Sequence, residues 1–313
     1  MNLQQLRYLC GIVNAKFSIS SAAKELHTSQ PGISKQIQML EEEIGIKVLI
    51  RNGNRIVGLT EPGKKVFTIA QRMMSDMSNL KLIGDEFSHK STGQLSLGTT
   101  HAHAKYTLMP IINSFKEKNP KVHLEIRQGS PFEISNWVLQ GEVDFGICAK
   151  LFEEQDSILC LPCGQLDRSI FVTNTSPLLT KKNITLRDLA EYPLLIIDRH
   201  LPGGADVLKA FEKEGITPQI FMSAIDSDVI KAYVELGHGI AILPTVTYEK
   251  SKDLGIQILD ASHIFPSSQT NILILRDKYL RPNVMEFINM IQPDFNNEYL
   301  NRVMLNTDNN KQK

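Results

Sequence analysis

Three groups of residues in this 313-residue chain could do chemistry. The first is the polar run from Ser29 and Gln30 through Pro31, Ser34 and Lys35 to Gln38. Ile33, Ile37, Leu40 and Ile44 recur at helical spacing, which predicts a helix with one narrow buried stripe. At about 100° per residue, Pro31, Ser34, Lys35 and Gln38 point away from that stripe, with Gln30 on its flank. Amides pair with adenine edges, hydroxyls are permissive, and lysine takes phosphate or guanine. The helix start adds unpaired N–H groups and a positive dipole end that favour phosphate. Glu41-Glu42-Glu43 at the far end repel a polyanion, so only the first two turns are expected to enter a groove.

The second group is Arg51 and Arg55, which frame an Asn-Gly turn between two β-prone runs, 46–50 and 56–59. Such a hairpin beside a helix-turn-helix is a wing, and arginine is favoured over a narrow minor groove by its negative potential. The third group lies further on, where several strand ends run into helices: Thr99, Thr100, His101 and His103; Gln128 and Ser130; Ala149 and Lys150; and Arg199. Donors ahead of helix starts converge on an anion, with Lys150, Arg199 and the histidines adding positive charge. Any one of these residues could equally be ordinary loop surface.

The elements that must position these groups follow from periodicity. Helices are expected at 3–14 and 20–26, the second capped by Ser18 or Ser20, with the polar helix third. Thr60-Glu61-Pro62-Gly63 opens a long helix. Along it Val66, Ile69, Met73, Asp76, Leu80, Ile83 and Phe87 alternate by three and four, a heptad seam that calls for a second chain. Residues 88–93 read as a hinge. Beyond them strands and helices alternate: strand 94–100, helix 103–118, strand 122–128, helix 131–140 and strand 143–148. A crossover near 160–168 leads to a second α/β set, and 271–275 with helix 281–291 return to the first. The expected architecture is therefore an N-terminal winged helix-turn-helix (1–59), a dimerisation helix with its hinge (60–90), and an α/β effector region (91–313). That region reads as a clamshell of two Rossmann-like subdomains, about 91–162 with 269–292 and about 163–268, with parallel sheets and a polar tail at 306–313.

Composition excludes several classes. Net charge is zero and 42% of residues are hydrophobic, an ordinary globular balance. Residues 1–90 carry 12 Lys/Arg against 8 Asp/Glu, so the front is mildly basic on an acidic body. No apolar run reaches the roughly 18 residues of a membrane span, and the first residues do not read as a secretion signal. Four cysteines form no disulfide framework, so a cytoplasmic location is expected. Cys160-Leu161-Pro162-Cys163 has redox spacing without an activating helix, and no second ligand pair completes a zinc site. His101-Ala102-His103 could hold a metal but reads as a plain loop. Cys148 lacks an orienting acid or amide for a thiol hydrolase. No catalytic residue, metal or cofactor is therefore expected.

The runs Ser20-Ser21-Ala22-Ala23-Lys24-Glu25-Leu26 and Thr28-Ser29-Gln30-Pro31-Gly32-Ile33-Ser34-Lys35-Gln36-Ile37 resemble the signature of LysR-type transcriptional regulators. Leu40-Glu41, Gly45-Ile46, Arg51 and Leu59-Thr60-Glu61-Pro62-Gly63 extend it. Leu3 to Tyr8, Thr99-Thr100-His101, Gln128-Gly129-Ser130-Pro131, Leu161-Pro162-Cys163, Asp167 to Ile170 and Asp226-Ser227-Asp228-Val229-Ile230-Lys231 are similar to the CysB-like subfamily. The resemblance implies a homotetramer on an inverted-repeat promoter, control of sulfur assimilation and cysteine synthesis genes, and contact with RNA polymerase. It also implies a small effector between the lobes: an acetylserine, sulfate, thiosulfate or another small acid. It places Gln30, Ser34, Lys35, Arg51 and Arg55 at DNA-contacting positions. One departure stands out. Where that subfamily's anion pocket uses hydroxyl and amide side chains beside Thr100, this chain has Ala102, His103, Ala149 and Pro202. Weak sulfate binding is therefore expected, with a regulator of another pathway as the neighbouring reading. A solute-binding clamshell or an enzyme is disfavoured, by residues 1–60 and by the lack of a nucleophile–base pair.

Overall fold

The computed structural model describes residues 1–53, 55–87, 93–149 and 157–305. The hinge residues 88–92, Lys150 and the tail 306–313 lie outside this set. The chain divides into two compact units, Met1–Lys90 with Asp277–Tyr279, and Ser91–Arg276 with Leu280–Lys313.

The first unit begins with three helices: α1 (Leu3–Asn14), α2 (Ile19–Glu25) and α3 (Gln30–Ile44). Asn2, Ser18 and Ser29 each cap one by accepting a backbone N–H from the first turn. Leu6, Leu9, Ile12, Ala22, Ala23, Ile33, Ile37 and Leu40 close into one core. Gly45, with φ at +71°, stops α3 in the left-handed conformation. The wing is an antiparallel pair, β1 (Leu49–Asn52) and β2 (Arg55–Leu59). Asn52 pairs with Arg55, so the turn is centred one residue later than the Asn-Gly reading, and both arginines sit on strands rather than in a loop.

Glu41 is not a solvated charge. It is buried, and its carboxylate accepts the N–H groups of Val48 (3.0 Å) and Leu49 (3.3 Å) and the Lys47 ammonium (2.9 Å). Burial alone would raise its pKa; the Lys47 ammonium and the two N–H donors outweigh it and hold the carboxyl below its ordinary value. Glu41 thus fixes the start of the wing to the polar helix.

The long helix α4 (Glu61–Phe87) opens where Thr60 accepts the Gly63 N–H (2.9 Å) and donates to the Lys47 carbonyl (2.7 Å). A Cβ on Gly63 would lie 2.1 Å from the Val48 carbonyl oxygen, so only glycine permits this approach. Ala70 is fully buried, and Val66, Phe67, Met73 and Met74 pack on the unit's own core. Val66 and Met73 therefore serve the intramolecular core as well as any seam, because the first turns of α4 lie against α1. Ile69, Leu80 and Phe87 remain exposed.

The second unit has two lobes. Lobe I comprises β3 (Gln94–Thr99), α5 (Met109–Lys118), β4 (His123–Gln128), α6 (Pro131–Leu139), β5 (Phe145–Ala149) and β6 (Ile158–Leu166). Lobe II comprises β7 (Arg168–Thr173), α7 (Leu186–Ala190), β8 (Leu194–Ile197), α8 (Pro202–Lys213), β9 (Ile220–Ala224), α9 (Ser227–Glu235), β10 (Ile240–Pro244) and β11 (Ile256–Asp260). The chain then returns to lobe I through β12 (Ser268–Leu275), α10 (Pro282–Ile291) and α11 (Asn297–Leu305). The sheet orders are β4-β3-β5-β12-β6 and β11-β7-β10-β8-β9.

Neither sheet is purely parallel. β12 runs antiparallel to β5 and β6, and β7 antiparallel to β10 and β11, because these strands carry the crossovers. The first crossover falls at Asp167, within the expected 160–168, and the lobes meet later than residue 162 because β6 continues to Leu166. The predicted helix 103–118 is broken: a π-turn spans His103–Thr107, closed by the Leu108 N–H on the His103 carbonyl (2.9 Å), before α5 begins. The two crossovers are stapled together. Arg168 donates to Ser268 (2.8 Å), the Pro266 carbonyl (2.8 Å) and Asp206 (3.1 Å), and Ser267 donates to Asp167. Among the described residues no helix is long and apolar enough to cross a membrane.

Glu41→Ala should lower the unfolding free energy of the first unit by about 3 kcal/mol, since charge-assisted bonds to buried donors are worth roughly 1.5–3 kcal/mol. Urea denaturation of the full chain followed by circular dichroism measures this. A loss below about 1 kcal/mol would show that the wing does not depend on the carboxylate.

Candidate functional site

On the first unit, Gln30, Pro31, Lys35 and Gln38 are exposed on α3, with Ser34 half-buried among them. Ser29 is engaged as the cap, accepting the Gly32 N–H at 3.2 Å. Gln38 donates to Glu42 at 2.8 Å, so its amide is held along the helix unless a partner displaces the carboxylate. Arg51 and Arg55 are exposed on the wing, which Glu41 ties to the same helix. One face therefore carries amide, hydroxyl and cationic groups at the start of a helix.

On the second unit, the carboxyl ends of β3, β4 and β5 lie side by side. Thr99 is paired with Gln128 and Ile147, and the Gly129 N–H donates to the Thr99 carbonyl (3.1 Å). This brings Thr100, Ser130 and Ala149 together at one sheet edge. Gln128 is exposed and Ala149 half-buried. Arg199 is exposed on the loop after β8 in lobe II, ahead of Pro202, which opens α8. Lys150 lies outside the described residues.

Three expectations about these residues are corrected. Thr99 is fully buried and its hydroxyl donates to the Ile147 carbonyl (2.9 Å), because strand alternation turns it inward. His103 supplies no positive charge: it is 3% exposed, and burial pushes its imidazole down to about 4. Ser130 is not free to serve an anion. Its N–H and its hydroxyl both donate to Glu133 at 2.8 Å in a reciprocal cap of α6, so an internal carboxylate already occupies that helix start.

The same substitution of an internal carboxylate for a ligand occurs between the lobes. Asp228, near the start of α9, accepts from His101 (3.0 Å), Lys105 (2.8 Å) and the Tyr106 hydroxyl, all from lobe I. Asp226 lies 3.5 Å from His101. Behind them Lys231, 5% exposed, donates to Tyr106 (3.1 Å), the Thr247 carbonyl (2.7 Å) and both oxygens of Asp253 (3.0 and 2.9 Å). Burial would raise the Asp228 pKa, but the Lys105 ammonium, Tyr106, His101 and Lys231 hold it far below the carboxylate range. Its charge, and with it the interlobe bond, persists in mild acid. His101, Asp226 and Asp228 are close enough to share a metal ion, yet Lys105 and Tyr106 already take the lone pairs such an ion would need. The pattern predicts a helix over 226–236, which α9 bears out, but the polar residues of 226–231 stand out only through the family resemblance. The missed signal was Lys231 on the apolar face of an amphipathic helix, between Ile230 and Val234, where a buried ammonium demands carboxylates.

Cys160 and Cys163 lie on β6, not in a loop, and burial pushes the Cys163 thiol up to about 11 and Cys148 to about 12. These thiols are poor nucleophiles at neutral pH.

A winged helix-turn-helix joined to a two-lobed α/β body with its polar groups at strand ends defines a ligand-responsive DNA-binding regulator. The chain belongs to the LysR family: the profile of the bacterial regulatory helix-turn-helix protein, lysR family, matches residues 3–64, and that of the LysR substrate binding domain matches residues 88–296. The HTH-type transcriptional regulator SsuR of Burkholderia cenocepacia is 38% identical over 296 residues, 95% of this chain and 96% of that protein. CysB of the same organism is 36% identical over 304 residues, 97% of each. The crystal structure of the cofactor-binding domain of the Cbl transcriptional regulator superposes with a TM-score of 0.65 at 30% identity, covering 69% of this chain and 94% of that one. The chain is thus a LysR-type transcriptional regulator of the CysB-like kind.

His103 makes folding sensitive to acid. The unfolded imidazole takes up a proton near its ordinary 6.5, the folded one only near 4. Stability is therefore full above pH 6.5 and is lost as the pH falls toward 4, by on the order of 3 kcal/mol. Thermal melts should show a larger drop between pH 7 and about pH 4.5 in the wild type than in His103→Asn. Equal drops would rule out the buried imidazole as the cause.

Proposed function

We propose that the protein controls genes of sulfur acquisition and cysteine synthesis, binding inverted-repeat promoter DNA as a homotetramer and acting through RNA polymerase in the cytoplasm. What carries the reading is similarity to SsuR and CysB along 95–97% of the chain, spanning the winged unit and both lobes alike. In this reading Gln30, Pro31, Ser34 and Lys35 meet base edges and phosphates, with Ser29 and Gln38 at the margins. Arg51 and Arg55 lie along the adjacent minor groove. The seam from Val66 and Ile69 through Met73, Leu80 and Ile83 to Phe87 pairs two chains, its exposed residues supplying the intermolecular contact.

The effector is a small acid, such as an acetylserine or another carboxylate, received between the lobes beside Thr100. Ala102, Ala149 and Pro202 offer no side-chain donors, and Ser130, His101 and Lys105 already serve Glu133 and Asp228. These facts favour a ligand less demanding than sulfate, whose two charges need several unshared donors.

Fluorescence anisotropy on promoter fragments tests the DNA reading. Affinity should fall steeply as salt rises, Arg51→Ala should weaken binding to all sequences alike, and Gln30→Ala or Ser34→Ala should relax sequence preference. Salt-independent binding overturns it. A thermal-shift screen of the full chain against acetylserines, sulfate, thiosulfate and small carboxylates should single out one acid. Micromolar sulfate affinity by calorimetry would contradict the effector assignment.

A further inference from the structure

The proton inventory around His103 determines which way the Thr100 hydroxyl points. The imidazole is wedged between two hydroxyls, with Nδ1 2.8 Å from Thr100 Oγ1 and Nε2 3.2 Å from Thr270 Oγ1. Neutral imidazole has one donor nitrogen and one acceptor nitrogen, so two arrangements exist. Thr270 distinguishes them. It is 6% exposed, and among the described residues its hydroxyl finds its hydrogen-bond partner only in His103 Nε2. If Nε2 carried the proton, the Thr270 hydrogen would be stranded in the protein interior, an arrangement that native structures avoid. Thr270 therefore donates, Nε2 accepts, and the ring proton sits on Nδ1. Nδ1–H then donates to Thr100, whose oxygen also faces the His103 backbone N–H at 3.5 Å. With its lone pairs so engaged, the half-buried Thr100 hydroxyl keeps one free function, its own hydrogen.

We propose that His103 is a positioning residue that commits Thr100 to act as a donor, so that the site takes a ligand presenting an acceptor oxygen, such as a carboxylate or sulfonate oxygen, to Thr100. The tautomer follows from geometry alone; the ligand class rests on the reading of Thr100 as part of the effector cleft. A neutral donor relay of this kind binds an acid oxygen without adding positive charge. It also replaces, through one buried ring, part of what a second hydroxyl would do.

Selectively 15N-histidine-labelled full chain, observed at pH 7 by two-bond proton–nitrogen correlation, reads the tautomer directly, with the His103 signals identified by their loss in His103→Asn. The expected form has the proton on Nδ1; a proton on Nε2 overturns the proposal.

Ligand recognition is tested by titrating sodium sulfate and sodium acetate into the full chain. The single tryptophan, Trp137, serves as reporter, since it packs against Gly98 and Gly129 below this edge. An asparagine amide nitrogen superposes on Nδ1 and a glutamine amide on Nε2. His103→Asn should therefore keep the wild-type response, while His103→Gln should lose about tenfold in apparent affinity, the worth of one hydrogen bond. Equal responses in the two variants overturn the positioning role. A wild type silent to both anions, with the Nδ1 tautomer confirmed, overturns the ligand assignment and the cleft reading while leaving the tautomer intact.

Discussion

The arrangement of the two-lobed body depends on one carboxylate. Asp228 gathers His101, Lys105 and Tyr106 across the interlobe boundary, while Lys231 neutralises it from behind and is itself held by Asp253. Two carboxylates and two ammonium groups are thereby packed at partial burial, an arrangement that is stable only as a complete set. Because His101 and Lys105 already bind Asp228, the lobes are held in register by the protein's own side chains. An incoming acid must either displace a carboxylate from these partners or rely on donors that remain unshared. In the proposed function the second route leads to Thr100, and there the neutral histidine behind it matters more than the exposed arginine at the rim.

The winged unit solves a similar problem in the same way. Glu41 takes the first backbone donors of the wing, as Glu133 takes the N–H and hydroxyl of Ser130 ahead of α6. In both places a carboxylate four or fewer bonds from its own helix fixes a loop that would otherwise present free N–H groups. The difference is in consequence. At Glu41 the captured segment orients Arg51 and Arg55 relative to α3; at Glu133 the capture removes Ser130 from the list of groups open to a ligand.

Much of this was legible in the chain. The cap at Ser18, the stripe through Ile33, Ile37 and Leu40, and the Thr60–Gly63 helix start located the first unit's helices closely, since local hydrogen bonding and periodicity fix them. β6 was not legible. Pro162 and Gly164 argue against a strand, but β6 is an edge strand, where a missing N–H faces solvent at little cost. The antiparallel course of β12 depends on the return from lobe II, which no local pattern encodes. Site residues were harder still. Thr99 and Thr100 are adjacent and chemically identical, and only the sheet's alternation separates a buried structural hydroxyl from an accessible one. His103 reads as a surface donor until its two threonine partners, one of them 167 positions away, are brought against it.

The wide turn at His103–Thr107 carries a consequence for how such a body changes over time. A five-residue closure holds one residue more than a regular helical turn, and that extra residue lets Lys105 and Tyr106 both reach across to α9 while His103 stays inward. Loss of a single codon here would let the turn relax into ordinary helix, with α5 keeping its phase because the wide turn had absorbed the extra residue. The barrel of contacts behind α5 would survive, but the bridge to the other lobe would be re-aimed. The bridge between the lobes and the scaffold behind it are thus separable by one amino acid, a short route to a different interlobe contact without rebuilding the fold.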